Sequence, residues 1–281
     1  MNKLIINFTP TGMVPTKAMT PHVPITVAEI VEEVQAASEI GITAVHLHAR
    51  DEESGAPTYR KDIYGRIMEG VRRYCPELVL CVSLSGRNFN ELSKRSEAIE
   101  LYPDMGSLTL SSLNFPRQAS VNAPDMIQGL AEKMNEYGVH PELEVFDLGM
   151  IHYAHYLIQK NILRPPYYFN LIFGNLAGMQ ADLAEMGLAV KQLPPGSHWA
   201  FGGIGRQQLA ANAAAIAAGG GVRVGLEDNL YYDQQKNHLA RNIDLLKRVH
   251  TLAEIFERRV MSPAEFGNLG YYNAKTRMIS A

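Results

Sequence analysis

His46 and His48 stand two residues apart in the run Ala44-Val-His-Leu-His48. In an extended chain that spacing puts both imidazoles on one face, so both rings can reach a single ion. Neutral imidazole is a common zinc ligand. The pair alone also fits two ordinary polar residues at the end of a strand. A third ligand is offered by Glu227, in the run Arg223-Val-Gly-Leu-Glu227-Asp228-Asn229. Three protein ligands leave a position open for substrate oxygen or water, which marks a catalytic rather than a structural ion. Read alone, Glu227 is equally a surface-loop carboxylate. Asp228 beside it is a candidate general base, or a group that orients a ligand. Arg223 needs anionic company if it faces inward, from Asp228 or from a substrate carboxylate. Facing outward, it would pack against a helix.

Other polar residues fall at the ends of apolar runs. Ser83, in Ser83-Leu-Ser-Gly86, and Thr109, in Thr109-Leu-Ser-Ser112, can hydrogen-bond a substrate carboxylate or their own backbone. Glu144 and Asn170 lie inside apolar runs, where an uncompensated polar group is costly, and are weaker candidates for a pocket. His152 and His155 fall on a helix and are read as structural.

These positions need elements to hold them. Short apolar runs alternate with helical patterns along the whole chain. Leu4–Phe8, Ala44–His48, Leu78–Ser83, Met105–Thr109, Glu142–Phe146, Tyr167–Ile172, Trp199–Phe201 and Val222–Val224 read as strands. Thr26-Val-Ala-Glu29 is a capping box opening a helix that Gly41 stops. Further helices are expected over Asp62–Tyr74, Glu91–Leu101, Pro124–Tyr137, Ile151–Lys160, Gln180–Lys191, Gln207–Ala218 and Gln234–Arg258. Eight strand–helix pairs in a chain of 281 residues argue for one closed (β/α)8 barrel spanning residues 1–281. No Gly-x-Gly-x-x-Gly follows the first strand, which argues against an open nucleotide-binding sheet, and Gly219–Gly221 precedes a strand and reads as a helix stop. A barrel places function at the strand ends and brings its eighth strand beside the first, close to the second. Glu227 and the histidines are thereby neighbours.

The formal net charge of −3 offers no electrostatic case for nucleic acid or a membrane surface. Cys75 and Cys81 form neither a metal-type pair nor a disulfide framework. The first apolar run is too short for a signal peptide, and no stretch approaches a membrane span. A cytoplasmic protein is expected.

Taken together, the motifs resemble the β-keto acid cleavage enzyme family. The carriers are Thr11-Gly12 with Pro21-His-Val-Pro24, Val45-His-Leu-His-Ala-Arg50, Ser83-Leu-Ser-Gly86, Ser107-Leu-Thr109 with Asn114-Phe115, Pro141-Glu-Leu-Glu144, Gly203-Ile-Gly-Arg206 and Val222–Asn229. The resemblance implies a zinc-bearing barrel that converts a β-keto acid and acetyl-CoA into acetoacetate and a new acyl-CoA. It places the ligands on His46, His48 and Glu227, a catalytic pair on Arg223 and Asp228, and carboxylate-binding hydroxyls on Ser83 and Thr109. It also implies a homo-oligomer, a tetramer. CoA phosphates need cations, and Lys17, Arg50, Arg87 and Arg206 all fall near strand ends.

Two departures from the family pattern stand out. A member that handles an amino-bearing substrate offers a carboxylate from the loop after the first strand, where this chain has Thr11-Gly-Met13-Val14. Met13 and Val14 therefore suggest a neutral, partly apolar substrate tail. The family's Ser-Thr-Gly-Gly is here Ser83-Leu-Ser-Gly86. A zinc-dependent barrel hydrolase and a non-catalytic metabolite-binding barrel are the competing readings.

Overall fold

The computed structural model describes residues 3–279. Eight parallel strands alternate with helices: β1 (Ile6–Phe8), β2 (Ala44–Leu47), β3 (Val79–Val82), β4 (Met105–Thr109), β5 (His140–Val145), β6 (Tyr168–Phe173), β7 (His198–Gly203) and β8 (Gly221–Val224). Neighbours in sequence pair in space, and β8 returns to β1, so the sheet closes into the expected (β/α)8 barrel. Register sets Asn7 beside Arg223, His46 beside Cys81, Thr109 beside Glu144, and Glu144 beside Asn170.

Strand alternation sorts the side chains into two cores. One face of each strand, with Ile6, Val45, Leu80, Phe169 and Phe201, packs outward against the helices. The other face, with Ile5, Ala44, Val79, Cys81, Met105, Tyr168 and Ala200, points into the barrel. His46 and His48 follow Ala44 on that inner face, as Glu142 and Glu144 share one face of β5.

The helices cover the outer face for local reasons. Helix α1 (Val27–Ile40) opens on the Thr26–Glu29 capping box and ends at Gly41, whose φ of 113° suits glycine. Helix α2 (Lys61–Tyr74) buries Ile63, Tyr64, Ile67, Met68 and Val71 on one stripe. Helix α3 (Leu92–Arg95) runs into a 3-10 turn at Glu97–Leu101, so the single helix expected there is broken at Ser96. After α4 (Pro124–Tyr137), α5 (Leu148–Gln159) starts three residues earlier than expected, because Asp147 caps it through Met150 N. Helix α6 (Leu183–Lys191) starts later than expected, at its Asp182 cap. It is followed by α7 (Gln207–Ala218) and α8 (Asn242–Ile255). The expected helix from Gln234 does not form before Asn242, since the Asp233 carboxylate accepts the Asn237 and His238 amides and holds that segment as a turn.

Two features were not foreseen. A hairpin, Leu113–Asn114 with Ala119–Ser120, projects from the end of β4. At the other end of the barrel, the short helix α9 (Pro263–Phe266) and the turn through Tyr271 insert Phe266, Tyr271 and Tyr272 into the inner core, ahead of the last helix, α10 (Ala274–Ile279). Among the described residues, no helix is long and apolar enough to cross a membrane.

Candidate active site

Above the apolar floor of the barrel, the interior turns polar. His46 is buried, and its Nδ1 stands 2.5 Å from Glu142 Oε2. An ionised carboxylate only accepts, so Nδ1 carries the proton and Nε2 turns away toward the mouth. There it faces His48 Nε2 at 3.2 Å. Glu227 completes the group, with Oε1 3.1 Å from His48 Nε2 and Oε2 3.9 Å from His46 Nε2. Ligand atoms about 2.0–2.1 Å from a tetrahedral zinc ion stand about 3.3 Å from one another. The His46, His48 and Glu227 atoms are spaced as such a set.

The field at this point calls for positive charge. Burial favours a neutral His46, but Glu142 and Glu227 outweigh it and raise its pKa to about 9. Glu227 Oε2 is buried with no hydrogen-bond partner. These residues fit a divalent ion. His46, Cys81 and Glu142 also lie within reach of one another. However, Glu142 already accepts from Asn7 Nδ2 at 2.5 Å, from His46 Nδ1 and from the Cys81 thiol at 3.3 Å. That inner group orients His46 rather than offering open ligands. Burial opposes the charge on Glu142, but His46, Arg223 and Asn7 hold its pKa near 2.

Arg223 faces inward, and its company is threefold. Its Nε donates to Asp228 Oδ2 at 2.9 Å, Nη2 pairs with Glu227 Oε1 at 2.7 Å, and Nη1 lies 3.5 Å from Glu144 Oε1. Glu144 in turn accepts from Thr109 Oγ1 at 2.7 Å. Burial raises the Asp228 pKa to about 6, with Arg223 pulling it down and Glu227 pushing it up. A carboxylate near 6 is matched to proton transfer near neutral pH. The turn that delivers Glu227 and Asp228 depends on Gly225, whose φ is 154° and where a Cβ would fall 2.0 Å from Thr9 O. The backbone of Asp228 is fixed by a 2.7 Å bond from Gly205 N to its carbonyl.

His48, Ser83, Thr109, Glu144, Arg223, Glu227 and Asp228 line one cavity of about 580 Å³ at the strand ends, and Met13 and Val14 form part of its wall. Asn170 is different: it is fully buried, both its amide atoms lack partners, and it does not line the cavity. Asn170, a weaker candidate for the pocket, is thus not part of the cavity wall.

The four cations also separate. Arg50 is buried and donates to the carbonyls of Gly12, Pro15 and Gly55, so it staples two loops. Lys17 pairs with Glu29 at 2.7 Å, and Arg206 lies outside the cavity. Only Arg87 of the four is in the cavity wall. Sequence reasoning gave no site role to Glu142, Asn7 or the hairpin residues Pro116–Gln118. Glu142 was readable, being two residues before Glu144 on the same inward face.

Residues 3–269 match the beta-keto acid cleavage enzyme family. The chain is 36% identical over 267 residues to the 3-keto-5-aminohexanoate cleavage enzyme of Fusobacterium nucleatum, covering 94% of this chain and 96% of that protein. It is also 36% identical over 264 residues to the 3-oxoadipate:acetyl-CoA acetyltransferase of Cupriavidus necator, covering 93% and 92%. The solved structure of ObcA aligns with a TM-score of 0.75 over 90% of this chain and 66% of its own, at 21% identity, and shows the shared fold. The chain is an enzyme of the β-keto acid cleavage enzyme family.

Proposed function

We propose that this chain condenses a β-keto acid with acetyl-CoA to give acetoacetate and a new acyl-CoA. The observation that carries the reading is the convergence of His46, His48 and Glu227 beside the Arg223–Asp228 pair, on the wall of one cavity. The relatives act on substrates of this kind by their names, and three of them name acetyl-CoA.

A divalent ion on His46, His48 and Glu227, proposed to be zinc from its nitrogen and carboxylate ligands, would supply Lewis acidity to the β-keto acid when bound. Asp228 takes a proton from the carbon between the keto and carboxylate groups, with Arg223 holding it in place. The resulting carbanion attacks the acetyl carbonyl of acetyl-CoA, a carbon–carbon bond forms, and CoA thiolate leaves. The thiolate attacks the original keto carbon, the bond from that carbon to the shared carbon breaks, and acyl-CoA departs. Asp228 returns its proton to the acetoacetate carbanion. Ser83 and Thr109, on the wall of the same cavity as the cation Arg223, are the groups proposed to hold the substrate carboxylate.

Among the described residues of the cavity wall, the acids Glu144, Glu227 and Asp228 are all engaged by Arg223, which leaves none for a cationic tail, and Met13 and Val14 add apolar wall. A hydrolase would need the ion to activate water for attack. The adjoining Asp228–Arg223 pair suits carbon deprotonation better. We further propose a homotetramer, on the family resemblance, and a cytoplasmic location, on two free buried cysteines.

The test is incubation of the zinc-loaded protein with acetyl-CoA and a panel of β-keto acids, read by mass spectrometry. Acetoacetate that forms only with acetyl-CoA, and is lost in Glu227→Gln, is the expected result. No acetoacetate from any acid, with the metal bound, would remove the reading.

A further inference from the structure

Arg87 is a cation in the cavity wall that forms no ion pair with an acid among the described residues. Its guanidinium carbon sits 3.7 Å above the centroid of the Phe115 ring. Its Nε is buried and has no hydrogen-bond partner, and none of the ion pairs among the described residues includes it. Its main chain, by contrast, is anchored: Arg87 N donates to Ser85 Oγ, and Arg87 O accepts from Gln118 Nε2, each at 3.4 Å.

The ring beneath it is held just as firmly. Phe115 N donates to Gln118 O at 3.0 Å, Gln118 Nε2 donates to Asn88 Oδ1 at 3.1 Å, and Asn175 Nδ2 donates to Asn114 O at 3.0 Å. Stacking fixes the plane of a guanidinium and leaves its in-plane N–H edge for a planar anion. A carboxylate fits that edge with two parallel hydrogen bonds.

On the reading given under Proposed function, we propose that Arg87, stacked on Phe115, binds a carboxylate at the far end of the substrate's tail, so that the preferred substrate is a β-keto dicarboxylic acid. The loop after β1 was the basis for expecting a neutral tail. Met13 and Val14 still face its methylene stretch. Arg87 stands on the loop after β3 and makes the tail's end anionic.

The electrostatics agree. Burial depresses the Arg87 pKa even against the combined fields of Glu227, Glu144 and Asp228. An anion bound at the guanidinium would relieve that deficit. Arg87 lines the same cavity as Glu144, Glu227 and Asp228. The diphosphate of CoA is separated from the thioester by the whole pantetheine arm, whereas a tail carboxylate lies only a few bonds from the keto carbon. Arg87 is thereby assigned to the β-keto acid rather than to CoA.

The experiment compares 3-oxohexanedioate with 3-oxohexanoate, which share one carbon chain and differ by a terminal carboxylate against a methyl. Steady-state kinetics are measured with acetyl-CoA for the zinc-loaded wild type, Arg87→Gln and Arg87→Lys. The wild type is expected to prefer the diacid by about ten- to a hundredfold in kcat/KM, the worth of a charge-assisted hydrogen-bonded pair. Arg87→Gln should collapse that preference through KM for the β-keto acid, and Arg87→Lys should restore part of it. Equal wild-type turnover of the two acids would overturn the inference without needing any variant. A raised KM for acetyl-CoA in Arg87→Gln, with the diacid preference intact, would overturn it too and give the cation to CoA. Acetoacetate from neither acid, across the broader panel as well, would remove the proposed function and this inference together.

Discussion

A Cβ placed on Gly12 would lie 2.4 Å from Glu227 Cγ, so the carboxylate that faces the two histidines lies directly against a bare stretch of backbone. The loop after β1 therefore sets the position of Glu227, which the turn after β8 delivers. Arg50 reinforces this by donating to the Gly12 carbonyl itself.

Gly12→Ala is accordingly expected to push Glu227 off its position without unfolding the barrel. Zinc affinity, measured by competition with a chromophoric chelator, should fall about 10- to 100-fold, as it does when the support of a ligand is removed. Gly187→Ala is the control. A Cβ there meets nothing within 4 Å, and on an exposed helix it should add about 0.5–1 kcal/mol of stability. Unchanged zinc affinity in Gly12→Ala would mean that Glu227 is not a ligand.

Glu142→Gln addresses the other side of the same group. The carboxylate fixes the proton on His46 Nδ1, and an amide in its place can present its N–H there instead of an acceptor. Metal affinity should drop by about one to two orders of magnitude, while β5 and the barrel persist. Far-ultraviolet circular dichroism checks the second half of that statement, and full zinc occupancy with wild-type affinity would contradict the first.

The pH profile reports on Asp228. Burial lifts its pKa to about 6, with Arg223 opposing and Glu227 adding to the rise. As the proposed base, Asp228 must be deprotonated to act, so kcat should climb as pH rises through about 6 and level off above it. Asp228→Asn should lower kcat by about 10²–10⁴-fold, and the acid limb should go with it. An acid limb that persists unchanged in Asp228→Asn would assign the titration, and with it the base, to another group.

How far these positions could be read from the sequence follows from how local their causes are. Inward-facing His46 and His48 follow from strand alternation, and their nearness to Glu227 from barrel closure, so both were legible. The Thr26 capping box and the Gly41 stop are likewise written in a few adjacent residues. The hairpin at 113–120 was not, because its strands are two residues each and its anchors, Asn88 and Asn175, lie on other loops. Helix α8 was overextended because the Asp233 turn competes with helix through side-chain bonds that a periodicity does not show. Asn170 was placed in the pocket by its polarity alone, yet it is sealed within the barrel.

The floor of the barrel carries the last prediction. Tyr271 stacks on Phe266 with ring centroids 4.3 Å apart, donates to Tyr167 O at 2.8 Å, and lies 2.9 Å from His198 Nδ1. It is fully buried among Ile5, Ala44, Val79 and Met105, at the opposite end of the strands from His48 and Asp228. Tyr271→Ala removes a large side chain from a packed interior and should destabilise by about 3–5 kcal/mol in urea unfolding. Tyr271→Phe keeps the ring, leaves Tyr167 O with its bond from His198 N and removes the partner of the His198 imidazole, and should lose about 0.5–1.5 kcal/mol. Because the polar layer around Glu142 and Arg223 separates this floor from the cavity, the zinc affinity of folded Tyr271→Phe should equal that of the wild type. A Phe variant that unfolds like the wild type would show that the hydroxyl contributes nothing there. One that loses zinc as well would show that the floor and the site are mechanically coupled through the strands.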